Sequence, residues 1–175
     1  MSLQERIYSV LVVSASKKMN IALSDYLPEI RFQPIKVVSS ISAGRRAWNE
    51  RAYDFVIVNS PLPDDTGVRF AIDVSSTAGV VVLLLVRAEL HEDFHEKVSE
   101  HGVFTLARPF SRSALTLALD WMATVRERLR NLEKKTLSVE EKMEEPQAHR
   151  YIEKQAMDRC VSKKEVAEEI IRTYS

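Results

Sequence analysis

One cysteine, Cys160, is too few for an internal disulfide, and that scarcity fits a reducing compartment. Four glycines leave no glycine-rich loop to cradle a phosphate and no G-x-S-x-G turn to raise a nucleophilic serine. Ser14 and Ser16, placed after the first apolar run as a phosphate loop would be, have no glycine beside them to let the backbone approach. Acids and bases balance at 25 each, so no overall basic field points to nucleic acid, and any such contact must come from local clustering. The longest apolar run, Gly79 to Val86, falls far short of the roughly 20 residues that cross a bilayer. The N-terminus shows no basic segment followed by an apolar core and a cleavage site. The expectation is a cytoplasmic chain with no membrane partner.

What is present is enough apolar material, 45% over 175 residues, for one packed domain and an appendage. Short apolar runs recur at Ser9 to Val13, Ile35 to Val38, Phe55 to Val58, Val80 to Val86 and Val103 to Leu106, with amphipathic stretches between them. Continuous apolar strands alternating with helices predict an α/β fold, a doubly wound five-stranded parallel sheet covered on both faces. Ser16, Ser42 and Ser111 sit where N-caps belong. Asp64 and Asp65, with Pro63 and Gly67, are expected to make the turn after the third strand. In open sheets of this kind a ligand site lies at the carboxyl ends of the strands, where Ser14, Asn59 and Arg108 converge.

From Ser111 the pattern changes. Leu115, Ala118, Met122, Val125, Leu129, Leu132, Thr136, Val139 and Met143 repeat at alternating spacings of three and four, with charge between them. That heptad predicts a helix from Ser111 to about Glu145 that starts on the sheet and continues as a dimeric coiled coil, with Met122, Val125, Leu129, Leu132, Val139 and Met143 at the seam. A capping-box pattern at Ser138 to Glu141 is the competing signal, for a separate helix. After Pro146 come two amphipathic segments, one presenting Ala148, Tyr151, Ile152 and Ala156, the other opening with the capping box Ser162-Lys-Lys-Glu165 and presenting Val166, Ile170 and Tyr174. Such a small all-α tail buries too little to stand alone.

These residues carry two resemblances. Residues 1–122, with strand ends at Ser14/Ala15, Asn59 and Arg108-Pro109, resemble the receiver domain of two-component response regulators. In that family the matching positions hold two metal-binding acids, a phosphoacceptor aspartate and a lysine before a proline, which the resemblance implies is a cis peptide. Here all four are changed. The fourth-strand hydroxyl falls among Leu84, Leu85 and Val86, and the switch aromatic near Thr105. An amide cannot replace a carboxylate as the nucleophile, nor two small side chains a pair of metal-binding acids. The expectation is a degenerate phosphoacceptor cleft at Ser14, Ala15, Asn59 and Arg108, with no catalytic residue, metal or cofactor.

Gln147 to Asp158, followed by Lys163 to Arg172, resembles the C-terminal half of the ANTAR output domain, a family of RNA-binding antiterminators. The family's first helix, rich in Ala and Lys and ending in Leu-Met, would fall between Glu145 and Pro146, where this sequence runs straight on, so residues 146–175 read as a partial domain. The resemblance implies RNA, in a nascent leader transcript, as partner, and a homodimer. Candidate RNA contacts are His149, Arg150, Lys154, Arg159, Lys163, Lys164 and Arg172, with Tyr151 nearby, because RNA recognition uses cations at phosphate spacing and groups that meet unpaired bases. With phosphorylation lost, control would come from expression level, a protein partner or a small ligand, or the dimer would be constitutive. The alternative is an interaction adaptor that binds no nucleic acid; a DNA-binding helix-turn-helix is disfavoured by the lack of a glycine-containing turn.

His91-Glu-Asp-Phe-His95 matches the zinc-hydrolase pattern, and His101 stands at the third-ligand spacing. Val98 occupies the place where the longer motif needs a glycine, so an uninterrupted helix would turn His101 away. A solvated helix with chance histidines is expected.

Overall fold

The computed structural model describes residues 6–141 and 145–174, with side chains at 6–134 and 149–168. It divides into two compact units, Met1–Arg130 and Asn131–Ser175.

In the first unit β1 (Tyr8–Val13), α1 (Lys17–Tyr26), β2 (Phe32–Val38), α2 (Ile41–Glu50), β3 (Phe55–Asn59), α3 (Val68–Ser75), β4 (Val81–Arg87), α4 (His91–Ser99) and β5 (Phe104–Arg108) alternate, and α5 (Arg112–Glu141) follows. The strands form one parallel sheet in the order β2-β1-β3-β4-β5. Strand side chains alternate between faces. Leu11, Val13, Val56, Val58, Val82, Leu84 and Val86 enter one core with Ile41, Ala47, Phe70, Val74 and Val98 from α2, α3 and α4. Val10, Val12, Phe55, Ile57, Val81, Leu83 and Leu85 enter the other with Leu23 and Leu27, and with Leu115, Leu119, Met122 and Ala123 of α5. The doubly wound sheet inferred from the sequence is this one. β2 begins earlier than expected because an edge strand tolerates Pro34, whose peptide bond, like those of Pro61 and Pro109, is cis.

Two local expectations are corrected. The N-cap of α2 is Ser40, whose Oγ accepts from the Ala43 amide at 3.2 Å; Ser42 lies inside the helix and donates to Asp64. Asp64 and Ser42 mark the same end, because the carboxylate accepts from the Ile41 and Ser42 amides at 2.9 Å each and supplies the anion that a helix N-terminus favours. Ser16 and Ser111 cap α1 and α5 as expected. The second correction concerns the heptad. Met122 is fully buried, and Val125 and Leu129 are partly buried against the same core, so this part of the stripe packs on the first unit's own sheet. Spacing of three and four suits a helix roofing a sheet as well as a coiled coil, and here the sheet takes the stripe. Leu132 is 59% exposed; Val139 and Met143 lie outside the residues whose side chains are described.

Ionic contacts fasten α5 at the amino-terminal edge of the sheet. Asp54 accepts from the Ser9 amide and hydroxyl at 2.9 Å each, from Arg126 Nε at 2.9 Å and from Arg130 Nη2 at 3.2 Å. Burial raises the Asp54 pKa, but the Ser9 amide and Arg126 outweigh it and hold the carboxyl below its ordinary range. Beside it the buried Glu127 accepts from Tyr8 and pairs with Arg6.

In the second unit α6 (Glu145–Arg159) and α7 (Lys163–Tyr174) pack on each other, with Ala156 and Val166 buried between them. Pro146 is accommodated in the first turn of α6, where its missing N–H costs nothing. Cys160 ends α6 at φ +52°, and the Val161 amide returns to the Ala156 carbonyl at 3.1 Å, closing the helix. Ser162 and Glu165 then form the expected capping box, with the Ser162 amide reaching the Glu165 carboxylate at 2.8 Å.

Candidate functional site

β1 and β3 lie beside each other at the centre of the sheet, and the chain leaves them towards opposite sides, which opens a crevice at their carboxyl ends. Ser14, Asn59 and Ser60 are buried there, and Asn59 Nδ2 donates to Ser14 Oγ at 3.0 Å. Asn59 Oδ1 is buried with no hydrogen-bond partner among the described residues. Arg108, at the end of β5, is half-buried and donates through Nη2 to the Ser60 carbonyl; its Nε is buried and unpartnered among the described residues. Burial, and then the neighbouring charge of Arg87, pull the Arg108 guanidinium below its ordinary pKa. Ser14, Asn59 and Arg108 thus meet as the sequence implied, while Ala15 is exposed beside them.

This crevice does not suit a divalent cation. Hard metals want several oxygen ligands including carboxylates. Ser14, Ala15 and Asn59 provide no carboxylate, and Arg108 brings a cation to the crevice. Leu84, Leu85 and Val86 are fully buried, so no hydroxyl from β4 reaches it either. Gly67, on the loop after β3, adopts φ +82°, and a Cβ there would stand 2.7 Å from Val58 Cγ1; only glycine lets the loop close on the strand end. Asp65 accepts from the Gly67 amide at 2.6 Å, completing the turn expected from Pro63 to Gly67.

The histidine motif has a structural place. His95 Nδ1 lies 2.7 Å and His91 Nε2 3.2 Å from Thr105 Oγ1, with the two rings stacked at 5.7 Å. Thr105, near which the receiver resemblance would put an aromatic, presents a hydroxyl to two imidazoles. Nothing in the motif pattern announced Thr105 as their partner; only the pairing of α4 with β5 does.

In the second unit His149, Arg150, Lys154, Arg159, Lys163 and Lys164 are exposed, and the Arg172 side chain lies outside those described. Lys163 pairs with Glu153, and Lys164 stands 3.8 Å from Glu168. Arg150 and Lys154 lie one turn apart on α6, with Tyr151, 43% exposed, between them in sequence. Sequence reasoning passed over Leu117 and Trp121, each 58% exposed and four residues apart on α5; their spacing was visible, but they fall off the heptad stripe.

Residues 134–171 match the ANTAR domain, from the end of α5 into α7. The signal receiver domain of an HD domain-containing protein from Pseudomonas fluorescens Pf-5 is similar in structure at TM-score 0.64 and 18% identity, over 75% of this chain and 96% of that one. A CheY-like response regulator receiver domain from Methylobacillus flagellatus is similar at TM-score 0.57 and 19% identity, over 66% and 98%. A third similar structure, described as of a family of redox sensors in the streptococci evolved from two-component response regulators, gives TM-score 0.60 and 18% identity over 70% of this chain and 54% of that one. These likenesses establish a receiver fold. No curated protein matches the chain in sequence.

Proposed function

We propose that this chain, a receiver fold joined to an ANTAR domain, is a transcription antitermination regulator whose output binds hairpins in nascent RNA and whose receiver-like unit works without phosphorylation. The observation that carries the reading is the coincidence of the ANTAR match with a cleft that presents an amide and a serine in place of carboxylates. Asn59 offers no nucleophilic oxygen for an acyl phosphate, and Ser14 and Ala15 beside it bring no carboxylate to hold magnesium. Input therefore arrives by occupancy of the unit, by a small ligand or a protein, and the active form is a homodimer.

For the output, Arg150 and Lys154 supply cations one helical turn apart, and Tyr151 supplies a ring on which an unpaired loop base can stack. Lys163 and Lys164 are weaker candidates because each already faces a glutamate.

Binding of the full chain to a hairpin leader RNA, titrated by gel shift across salt concentrations, tests the reading. Arg150→Ala with Lys154→Ala should weaken binding and reduce the salt slope by about 0.7 for each single-strand phosphate no longer neutralised. If no hairpin RNA binds at low salt, the output reading is wrong and the adaptor alternative takes its place. A phosphorylated species after acetyl phosphate and magnesium would overturn the input reading separately.

A further inference from the structure

Beside the Ser14–Asn59 crevice, and sharing Arg108 with it, lies a second opening rich in cations. Ser16, Lys18, Met19, Ala22, Arg87, Glu89, Arg108 and Pro109 line an opening of about 490 Å³ at the carboxyl ends of the strands. Three cations face one carboxylate there, which leaves two positive charges unmatched. Among the described residues neither Arg87 nor Lys18 forms an ion pair, and Glu89 pairs with none of the three. Arg108 is held in place through Ser60, yet its Nε is buried and unpartnered. A half-buried guanidinium beside a like charge is an unfavourable arrangement, and an anion shared between Arg87 and Arg108, neighbours across β4 and β5, relieves the repulsion.

Guanidinium groups present planar donor forks that match the oxygens of a phosphate, whereas an ammonium acts as a compact charge. Two arginines and a lysine lining one opening fit a doubly charged group. The opening is also larger than an isolated oxyanion needs, which leaves room for the remainder of an ester beside Met19, Ala22 and Pro109.

We infer that this cleft binds a phosphate-bearing small molecule non-covalently and without a metal, gripped by Arg87 and Arg108 with Lys18 assisting, and that its occupancy is the input to the unit. This rests on the proposal that the receiver-like unit takes no phosphoryl group, but its test is separate. No bond forms or breaks; the anion dissociates freely from an opening that adjoins the Asn59 crevice through Arg108.

The experiment is a thermal-shift and calorimetric titration of the full chain with inorganic phosphate, and with glycerol 3-phosphate, up to about 20 mM in EDTA-containing buffer at constant ionic strength. Saturable stabilisation is expected, with chloride at matched ionic strength giving none. Equal affinity for both probes identifies the free anion as ligand, and tighter binding of glycerol 3-phosphate identifies an ester; either supports the site. Arg87→Gln, at an exposed position, should raise the dissociation constant by about tenfold while leaving the unliganded melting temperature within a degree or so. Arg108→Gln also releases the Ser60 carbonyl, so Arg87→Gln is the decisive variant. No saturable shift with either probe, or an unchanged affinity in Arg87→Gln, overturns the inference. A phosphorylated protein after acetyl phosphate would instead strike the reading on which it rests.

Discussion

Removing the Asp54 carboxylate should loosen α5 from the sheet, and the geometry sets the scale. Four hydrogen bonds converge on this side chain, two of them from guanidiniums, and its own exposure is 15% against 13% for Arg126 and 28% for Arg130. Charge-assisted bonds contribute about 1.5–3 kcal/mol each, and breaking a fully buried pair costs about 3–5 kcal/mol. Partial exposure and sharing of one acceptor lower the sum, so Asp54→Ala should cost about 2–4 kcal/mol. For a unit of this size that is a fall in melting temperature of roughly 5–15 °C. Both tryptophans, Trp48 and Trp121, lie in this unit, so urea unfolding followed by selectively excited tryptophan fluorescence reports on it. A double-mutant cycle with Arg126→Ala should return a coupling of about 1–3 kcal/mol. The pH dependence has a fixed sign: because the native pKa is lowered, the contribution is complete above the ordinary value of 3.8 and lost as pH falls below it towards the native value. A loss under about 0.5 kcal/mol, or no coupling to Arg126, would show that α5 is held by apolar packing alone.

Two further substitutions read local backbone demands. Gly67→Ala places a methyl 2.7 Å from Val58 at φ +82°, and should destabilise the first unit by about 2–3 kcal/mol in the same urea assay; a neutral result would mean that the loop after β3 moves aside freely. Cys160→Gly relieves a left-handed side-chain-bearing residue at the end of α6 and should stabilise the second unit by about 1 kcal/mol, seen as increased far-UV helicity on heating; a loss of helicity would count against the closing turn.

The sheet was legible because buried parallel strands leave uninterrupted apolar runs, and the five runs found their places with end shifts of a residue or so except at β2, where Pro34 concealed the first half of an edge strand. The cleft was legible in what it lacked, since Asn59 and Ser14 fall at strand ends by simple counting. The cation-rich opening beside it was harder to see: Lys18, Arg87 and Arg108 lie far apart in sequence and meet only through the strand order. The heptad misled because a stripe of Met122, Val125 and Leu129 has the same spacing whether its partner is a sheet or a second helix. Ser42 reads as a cap because Ala43, Ala47 and Trp48 follow it, whereas the helix begins at Ile41, Ser40 caps it, and Ser42 is held by Asp64 from the loop after β3.

Because Met122, Val125 and Leu129 are committed inward, the outward side of the same helix segment, with Leu117, Trp121 and Arg128, carries little of the fold's cohesion. Substitution there changes what the helix offers to other molecules while the sheet beneath stays assembled. Surface chemistry and foldedness are then carried by separate sets of residues, so the one can vary along a lineage while the other is kept.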